Sequence, residues 1–176
     1  MTEKAANDLM RITKYGEEVL ATRAREVETI DGALRNMVER MRLTMYRANG
    51  IGLAAPQVDE SIRLFVVDLT LGEDADAFHA FVNPVILEAE GADTDEEGCL
   101  SVPGINLGVE RHTRLLLRAV DLEGKEFERE YRDFEARVLQ HEIDHLDGHV
   151  ILDRVSPLKR RLAKREIRRL QQNGSW

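Results

Sequence analysis

The chain has a single cysteine and lacks both a long apolar run and a secretory leader. One cysteine cannot form an internal disulfide, so the fold needs no oxidising compartment. No stretch approaches the roughly 18 consecutive apolar residues of a membrane span. Residues 1–14 carry charges but no apolar h-region, so they do not resemble a secretory signal. We therefore expect a cytoplasmic protein with no membrane partner.

Internal repeats, low-complexity tracts and Pro/Ser-rich linkers are also missing from the sequence. A length of 176 residues suits one domain built on one core. We therefore expect residues 1–176 to form a single domain, with residues 159–176 as a basic C-terminal helix and tail. Hydrophobic residues make up 43% and charged residues 33% of the chain, which is typical of a globular protein.

Charge is distributed unevenly along the chain, whose net charge is −8. Residues 1–158 hold 32 acidic and 18 basic residues, whereas residues 159–176 hold seven basic residues against Glu166 alone. The acidic body is expected to repel polyanions, and we expect no DNA partner, while the basic tail can attract a polyanion. A basic run of this kind is also common on a solvated helix face, and the sequence alone leaves both interpretations open.

Hydrophobic periodicity predicts a mixture of helices and strands. Residues 31–47 carry apolar side chains at helical spacing, and Asp31 is a suitable N-cap. The strand candidates follow at Arg63–Leu69, Ala80–Val85, Val109–Arg111, Arg114–Val120 and Glu126–Tyr131. Asp121–Gly124 reads as a hairpin turn between the last two strands.

Two further helices are predicted after these strands. Asp133 can cap the first, which is expected to end at Gly148. Ser156 and Pro157 open the second, since proline is favoured at the first helical position. Its apolar side is predicted to consist of Leu158, Leu162, Ile167 and Leu170. Strands in the middle and helices at both ends favour an α+β fold with antiparallel sheets.

Residues 141–145 form an H-E-x-x-H motif inside the first of these two helices. Four residues make about one helical turn, so His141 and His145 leave the same face and can bind one metal ion. Glu142 lies beside the first histidine and can take a proton from the attacking water. The competing interpretation is a chance match, with two surface histidines on an ordinary helix.

A catalytic metal site usually has three protein ligands and one open position. The remaining sulfur and nitrogen candidates are Cys99, His79, His112 and His149. Cys99 is the strongest because it lies in Glu96–Ser101, where Gly98 lets the backbone turn tightly. A lone cysteine is more often a small buried apolar residue, but the H-E-x-x-H motif reverses that preference. One thiolate and two imidazoles would leave a position open for water or substrate.

Three segments together resemble the signature motifs of the peptide deformylases: Gly50–Gln57, Glu97–Ser101 and Gln140–His145. They occur in the family's order and spacing, and the similarity covers residues 10–165. The resemblance implies antiparallel sheets around a central metal-binding helix, in the compact form that has a C-terminal helix. It also implies removal of the formyl group from the N-terminal N-formylmethionine of newly made polypeptides, with release of formate.

The resemblance further implies the metal and the residue roles. Fe(II) would be bound by Cys99, His141 and His145, and zinc, nickel or cobalt could occupy the same ligands. The remaining roles are acid–base chemistry at Glu142, hydrogen bonds to the formyl group from the Gln57 side chain and the Leu100 N–H, and pairing of the substrate backbone at Gly52. From the residues themselves, the candidates for the methionine pocket are Ile51, Leu100 and Val138, of which Ile51 and Val138 could equally be ordinary core residues.

Other functions remain open at this point. A zincin-type metalloprotease shares H-E-x-x-H but takes its third ligand from downstream, and only 31 residues follow His145. A binding protein with a structural zinc would usually need four protein ligands. An inactive homologue would be expected to lack a chemical residue, and none is missing. The family resemblance also implies a ribosome contact through the basic C-terminal helix, and we expect a monomer.

Overall fold

The computed structural model describes residues 9–176. Residues 1–8, which fall within the expected single domain and the segment expected to carry no secretory signal, lie outside the described residues. In the described part, the helices are α1 (Gly32–Arg47), α2 (Asp133–Leu146) and α3 (Pro157–Gln172). The strands are β1 (Gly52–Ala54), β2 (Leu64–Val67), β3 (His79–Glu90), β4 (Asp93–Glu97), β5 (Leu107–Arg111), β6 (Arg114–Val120) and β7 (Glu126–Arg132). Short 3-10 turns cover Glu18–Ala21, Ala55–Val58, Ala75–Ala77 and Ile151–Arg154.

The strands form two antiparallel sheets, as an α+β fold requires. Within residues 9–176 one sheet has the order β1-β2-β3-β6-β7, and β4 pairs with β5 in a separate two-stranded sheet. Helix α2 packs against β1, β2, β6 and β7. Among the described helices, none combines the length and apolar character that crossing a bilayer demands.

Two strands were not predicted, β4 because of its composition and β1 because of its shortness. Strand β4 reads Asp-Thr-Asp-Glu-Glu, a composition that is depleted in strands, and it forms because its backbone pairs with β5 from Asp93 to Glu97. Strand β1 has three residues and lies inside the glycine-bearing segment that was predicted as a loop. The prediction at Arg114–Val120 is confirmed, and the other strands differ from their predictions at the ends.

Helix α1 and the hairpin turn confirm the sequence prediction. The Asp31 carboxylate accepts a hydrogen bond from the Leu34 N–H at 2.9 Å, so it caps the helix. In the turn, the Asp121 N–H donates to the Lys125 carbonyl at 3.0 Å. Gly124 takes a φ of +83°, which a side chain would disfavour.

The predicted N-cap of α2 is wrong, whereas its predicted end is correct. Asp133 is itself the first helical residue, its φ is +49°, and its N–H donates to the Thr113 carbonyl at 2.8 Å. Its side chain therefore lies outside the capping position, and no side chain caps α2. At the other end Gly148 has a φ of +78°, and a Cβ there would lie 3.0 Å from the backbone of Ala21 and Thr22.

Helix α3 begins as predicted, but its buried side is different. Ser156 accepts from the Lys159 N–H at 3.4 Å, and Pro157 is the first helical residue. Leu158 and Leu162 are 64% and 49% exposed, so they do not pack on the body. The helix is instead buried through Ala163 and Ile167, with Leu170 partly covered. At 3.6 residues per turn, Ile167 and Leu170 leave the helix on a different side from Leu158 and Leu162, so one face cannot bury all four.

The single core expected from chain length divides into three clusters. In β2, Phe65 and Val67 face α2 in the first cluster, and Leu64 and Val66 face α1 in the second. The third cluster, which we call the third core, joins the segment after Cys99 to α3. Its buried members are Leu20, Val102, Ile105, Val109, Val150, Ile151, Leu152, Ala163 and Ile167. The H-E-x-x-H motif lies on α2, which packs against the larger sheet through the first cluster.

Candidate metal centre and active site

The structure brings the three predicted metal ligands together. The ligand atoms of Cys99, His141 and His145 all lie within 4.8 Å of one another. The Cys99 Sγ is 3.3 Å from the His145 Nε2. Both histidines project from α2 one turn apart, as the motif predicts. Cys99 follows β4 in a turn where the Val102 N–H donates to the Cys99 carbonyl at 2.9 Å.

The electrostatics of this cluster favour an anionic sulfur. Burial raises the pKa of the Cys99 thiol, but the imidazoles of His145 and His141 outweigh it and hold the pKa well below its ordinary value. A thiolate with two imidazoles is a donor set that suits zinc and other first-row divalent metals. The three residues therefore fit a catalytic metal with one further coordination position.

A buried glutamate that sequence reasoning missed orients His141, one of the candidate ligands. The Glu97 Oε2 is 3.0 Å from the His141 Nδ1. Arg111 donates to both Glu97 oxygens at 2.9 Å, and Arg137 donates to Oε1 at 2.9 Å. Burial alone would raise the pKa of Glu97, but these hydrogen bonds from His141 and Arg111 lower it to about 2. A ligating histidine commonly donates its second nitrogen to a carboxylate, and that rule was the signal that could have found Glu97.

The ion network continues from Glu97 toward the surface. The Arg111 Nη1 donates to the Asp144 Oδ2 at 2.6 Å, and Arg154 donates to both Asp144 oxygens. Arg111 and Asp144 are buried, whereas Arg154 is partly exposed. The second ligand-bearing turn of α2 is therefore anchored by charge pairs on the side away from the cavity.

Glu142 has an environment that differs from that of Glu97. It is 4% exposed, and its Oε2 has no hydrogen-bond partner in the described part of the chain. Burial raises the pKa of this carboxyl to about 7, against the opposing effect of His141 and His145. A Cβ at Gly52 would lie 2.3 Å from the Glu142 Oε1, so only glycine lets the β1 backbone approach this carboxylate. An orphaned buried oxygen beside three ligand atoms is the arrangement expected for a base that acts on water at a metal.

The Gln57 amide is held in one orientation. Its Oε1 accepts from the Ala54 N–H at 2.8 Å. Its Nε2 donates to the Ser101 Oγ at 3.3 Å and approaches the Cys99 Sγ at 3.6 Å. The donor end of the amide therefore faces the metal ligands, and the acceptor end is already occupied by the backbone.

The predicted substrate residues line one open cavity of about 600 Å³. Its volume is within the usual range for a small-ligand site. The predicted site residues on its wall are Ile51, Gly52, Gln57, Cys99, Leu100, Val138, His141 and Glu142. Phe134, which was not predicted, also lines this cavity and is 55% exposed at the start of α2. Exposed aromatic surface at a pocket is a signal that only the three-dimensional structure provides.

The other histidines considered as ligands lie elsewhere. The His79 ring packs edge-on against the Phe81 ring, with 6.4 Å between the ring centroids. The His112 Nδ1 is 3.0 Å from the Gly91 carbonyl, and His149 is exposed beyond the end of α2. None of the three belongs to the metal-ligand group found among residues 9–176.

Comparison with known proteins assigns the chain to a family. The family model for polypeptide deformylase matches residues 9–161. A peptide deformylase of Thermodesulfovibrio yellowstonii is 44% identical over 160 residues, which cover 91% of this chain and 97% of that protein. The crystal structure of a peptide deformylase from Legionella pneumophila superposes with a TM-score of 0.89 at 39% identity, covering 95% of this chain and 98% of that one. For the Thermotoga maritima peptide deformylase the TM-score is 0.79 at 43% identity, over 85% of this chain and 99% of that one. The chain belongs to the peptide deformylases, metal-dependent hydrolases that remove the N-formyl group from nascent polypeptides.

Proposed function

We propose that Cys99, His141 and His145 hold the catalytic metal and that Glu142 is the general base and acid for deformylation. The observation that carries this assignment is the buried, unpartnered Glu142 oxygen beside three converging ligand atoms. When bound, a divalent metal lowers the pKa of water and polarises a carbonyl, both of which a formamide substrate needs. The thiolate and the two imidazoles leave room for both effects.

Glu142 has the properties of a group that both accepts and returns a proton. A pKa of about 7 lies near the operating pH, where proton transfer in each direction is efficient. The carboxylate takes the proton of the attacking water and delivers it to the amine nitrogen that departs. Gly52 supports this role because its missing side chain leaves space for the carboxylate.

Gln57 and the Leu100 N–H form the proposed oxyanion site. Negative charge develops on the formyl oxygen as water attacks, and preorganised donors stabilise it. The Gln57 Nε2 points toward the metal ligands because the Ala54 N–H occupies its oxygen. Loss of one such donor typically costs ~2.7–4 kcal/mol of transition-state stabilisation.

The substrate side chain is proposed to enter the cavity between Ile51, Leu100 and Val138. Ile51 and Leu100 are partly exposed to the cavity, while Val138 is 6% exposed, so it contributes as part of the wall. Apolar walls of this kind accept the unbranched methionine side chain of a formyl-Met chain. Gly52, on the strand edge beside Glu142, is proposed to pair with the substrate backbone.

Fe(II) is the proposed physiological metal, with zinc, nickel and cobalt able to occupy the same ligands. The support is the family resemblance together with a mixed sulfur and nitrogen donor set. Metal content measured on protein purified without air tests this choice. Stoichiometric zinc, with no iron and undiminished activity after anaerobic purification, would argue against iron.

We also propose a cytoplasmic monomer in which residues 1–176 form one catalytic domain, without a DNA or membrane partner. The basic segment 159–176 is proposed to contact the ribosome, where formylated chains emerge. On α3, four arginines are exposed together with Leu158 and Leu162, and one of them, Arg169, pairs with Glu166. The four are Arg161, Arg165, Arg168 and Arg169. Such a face can bind phosphate-rich RNA through its charges.

Formate release from a formyl-Met peptide is the direct test of the proposed function. The metal-loaded protein should release formate from formyl-Met-Ala-Ser and leave the unformylated peptide intact. Cleavage of an internal peptide bond in either substrate would instead indicate a metalloprotease. Absence of both activities in the fully loaded protein would reject the hydrolytic roles of Glu142 and Gln57.

A further inference from the structure

The segment before the first 3-10 turn bonds directly to the loop that carries Gln57. Thr13 is fully buried, and its N–H donates to the Gln57 carbonyl at 2.8 Å. Its hydroxyl donates to the neighbouring Pro56 carbonyl at 3.0 Å. One threonine thus holds two consecutive carbonyls of the 3-10 turn Ala55–Val58. The backbone of that turn sets the position of the Gln57 side chain.

The next two residues bond to the other loop of the site. The Lys14 ammonium donates to the Leu100 carbonyl at 3.1 Å. The Tyr15 N–H donates to the Ser101 carbonyl at 2.8 Å. Lys14 also lines the cavity, where its ammonium is held against the loop backbone. Residues 13–15, which we call the strap, therefore bridge the two loops within three consecutive positions.

The strap joins the two loops that carry the proposed oxyanion donors, whose spacing must be kept constant. Among the described residues, the hydrogen bonds between the loops themselves are those of the Gln57 amide. The bond to the Ser101 Oγ is long at 3.3 Å, and the bond to the Cys99 Sγ, at 3.6 Å, is made to sulfur, a weak acceptor. The four strap bonds are shorter, at 2.8 to 3.1 Å, and they are made by the backbone and by two side chains. Since all four bonds end on carbonyls of Gln57, Leu100 or the residues next to them, the strap sets the distance between Gln57 and Leu100.

We propose that Thr13 and Lys14 are positioning residues for deformylation, fixing the spacing between the Gln57 amide and the Leu100 N–H. This inference rests on the proposed function of those two donors. Neither residue needs to touch the reacting atoms. A displacement of about 1 Å at an active site can cost on the order of 10²-fold in rate, so loosening one side of the bridge is expected to cost less than that.

The variants are chosen to remove one bond each without changing size. Thr13→Val removes the hydroxyl bond to Pro56, and Lys14→Met removes the ammonium bond to Leu100. Lys14→Arg keeps a cationic donor at that place. Thr44→Val is the control for loss of a buried hydroxyl outside the strap. The Thr44 hydroxyl donates to the Arg40 carbonyl at 2.7 Å and accepts from the Met10 N–H at 2.9 Å, so it bonds neither loop although it holds the chain just before the strap.

Kinetics of the metal-loaded full chain on a short formyl-Met peptide give the first readout. Thr13→Val and Lys14→Met should each lower kcat about 5- to 30-fold with KM changed less than about 2-fold, because the donors act in the transition state. Lys14→Arg should recover most of the loss. Thr44→Val should lower Tm comparably and leave kcat near wild type. Unchanged kcat in both strap variants, or equal kcat losses in Thr44→Val, would overturn the proposal.

A double-mutant cycle with Gln57→Ala separates positioning from general damage. If Thr13 acts through Gln57, then Thr13→Val should cost less than about 2-fold in kcat once Gln57 is alanine. Full multiplication of the two losses would show that Thr13 acts by another route and would reject its role.

Amide hydrogen exchange supplies a readout that does not depend on turnover. In Thr13→Val and Lys14→Met, residues 52–58 and 99–103 should exchange faster than in wild type and in Thr44→Val. If wild-type protein fails to release formate, the proposed function fails, and the exchange rates alone then judge the strap. Wild-type exchange in both loops would reject the bridging role whatever the activity.

Discussion

At the residue scale, two buried glutamates beside the same metal ligands have pKa values displaced in opposite directions. Glu97 lies at about 2 because His141 and Arg111 hydrogen-bond its oxygens and outweigh burial. Glu142 lies at about 7 because burial is not offset by any hydrogen-bond donor to Oε2 among the described residues. Opposite environments thus keep one carboxylate permanently charged, as an orienting group, and leave the other able to carry a proton.

Glu142→Gln tests the second of these roles. The amide has the same shape but cannot accept the proton of the attacking water, so kcat should fall by ~10²-fold or more. Metal content measured by mass spectrometry should stay near one per chain, since the ligands are untouched. Glu135→Gln, the same change about two turns earlier on α2, is the control and should retain activity. Turnover near that of wild type in a fully loaded Glu142→Gln protein would remove Glu142 from the mechanism.

The spacing of residues within one short sequence motif was enough to propose the metal ligands and the general base. His141, Glu142 and His145 occur within one helical turn, and a single cysteine left little choice for the third ligand. Glu97 and Thr13 could not be found in this way, because the histidine that Glu97 contacts and the carbonyl that the Thr13 hydroxyl bonds are more than 40 residues away in the sequence. Only the packing of β4 and of the strap against the site shows which polar groups they satisfy.

At the element scale, helix α3 buries one large apolar side chain and exposes another. Ile167 is 3% exposed in the third core, whereas Leu158 is 64% exposed on the outer face. The sequence prediction placed both on one apolar side, although nine residues make about two and a half turns and carry the two side chains to opposite sides. Propensity likewise failed for the acidic strand β4, whose formation depends on its partner β5.

Substitutions at these two positions should have unequal effects on stability. Ile167→Ala should lower the free energy of unfolding by about 2–5 kcal/mol, as expected for a large-to-small change in a core. Leu158→Ala should change it by about 0.5 kcal/mol or less, since surface substitutions seldom matter more. Denaturant unfolding of the two variants measures both values. Equal losses would contradict the observed burial of α3.

The end of β2 carries a buried charge whose stability contribution depends on pH. Burial would raise the pKa of Asp68, but hydrogen bonds from the Tyr46 hydroxyl and from Thr70 lower it below its ordinary value. A lowered folded-state pKa means that the carboxylate stabilises the fold above the unfolded-state pKa of 3.8. This stabilisation is lost as the pH falls from that value through the folded-state pKa.

Asp68→Asn should therefore flatten the acid side of the stability profile. The variant should be less stable than wild type at pH 7, and the difference should shrink as the pH falls below about 4. Urea unfolding of both proteins between pH 7 and pH 3 measures this difference. Asp59→Asn, an exposed acid in a neighbouring turn, serves as the control. A constant gap between wild type and Asp68→Asn at all pH values would contradict the linkage.

At the scale of the whole molecule, the acidic body is expected to repel a polyanion and the basic outer face of α3 to attract one. The third core buries Ala163 and Ile167 against Val102, close to Cys99. Deletion of residues 159–176 would therefore disturb the metal loop as well as the charges, and it cannot isolate ribosome binding. Substitution of exposed charges alone leaves this core intact.

The triple variant Arg161→Gln, Arg165→Gln, Arg168→Gln should weaken co-sedimentation with ribosomes while turnover of a short formyl-Met peptide stays near wild type. Added salt should weaken binding of the wild-type chain as well, because the attraction is electrostatic. The control carries the same charge loss at exposed arginines on other faces, Arg23, Arg25 and Arg47. Equal weakening in both triple variants would assign the effect to net charge and reject a docking face on α3.

The third core also sets an order for how the enzyme becomes complete during its own synthesis. Cys99 and its loop leave the ribosome well before Ala163 and Ile167, which cover the same cluster. Chains fold from the N-terminus onward as they are made, so the larger sheet can assemble first while the metal loop still lacks part of its support. At that stage the strap already contacts one side of the Cys99 loop, and α3 packs on the other side last. A deformylase of this design gains a fully packed metal site only after nearly all of its chain has emerged.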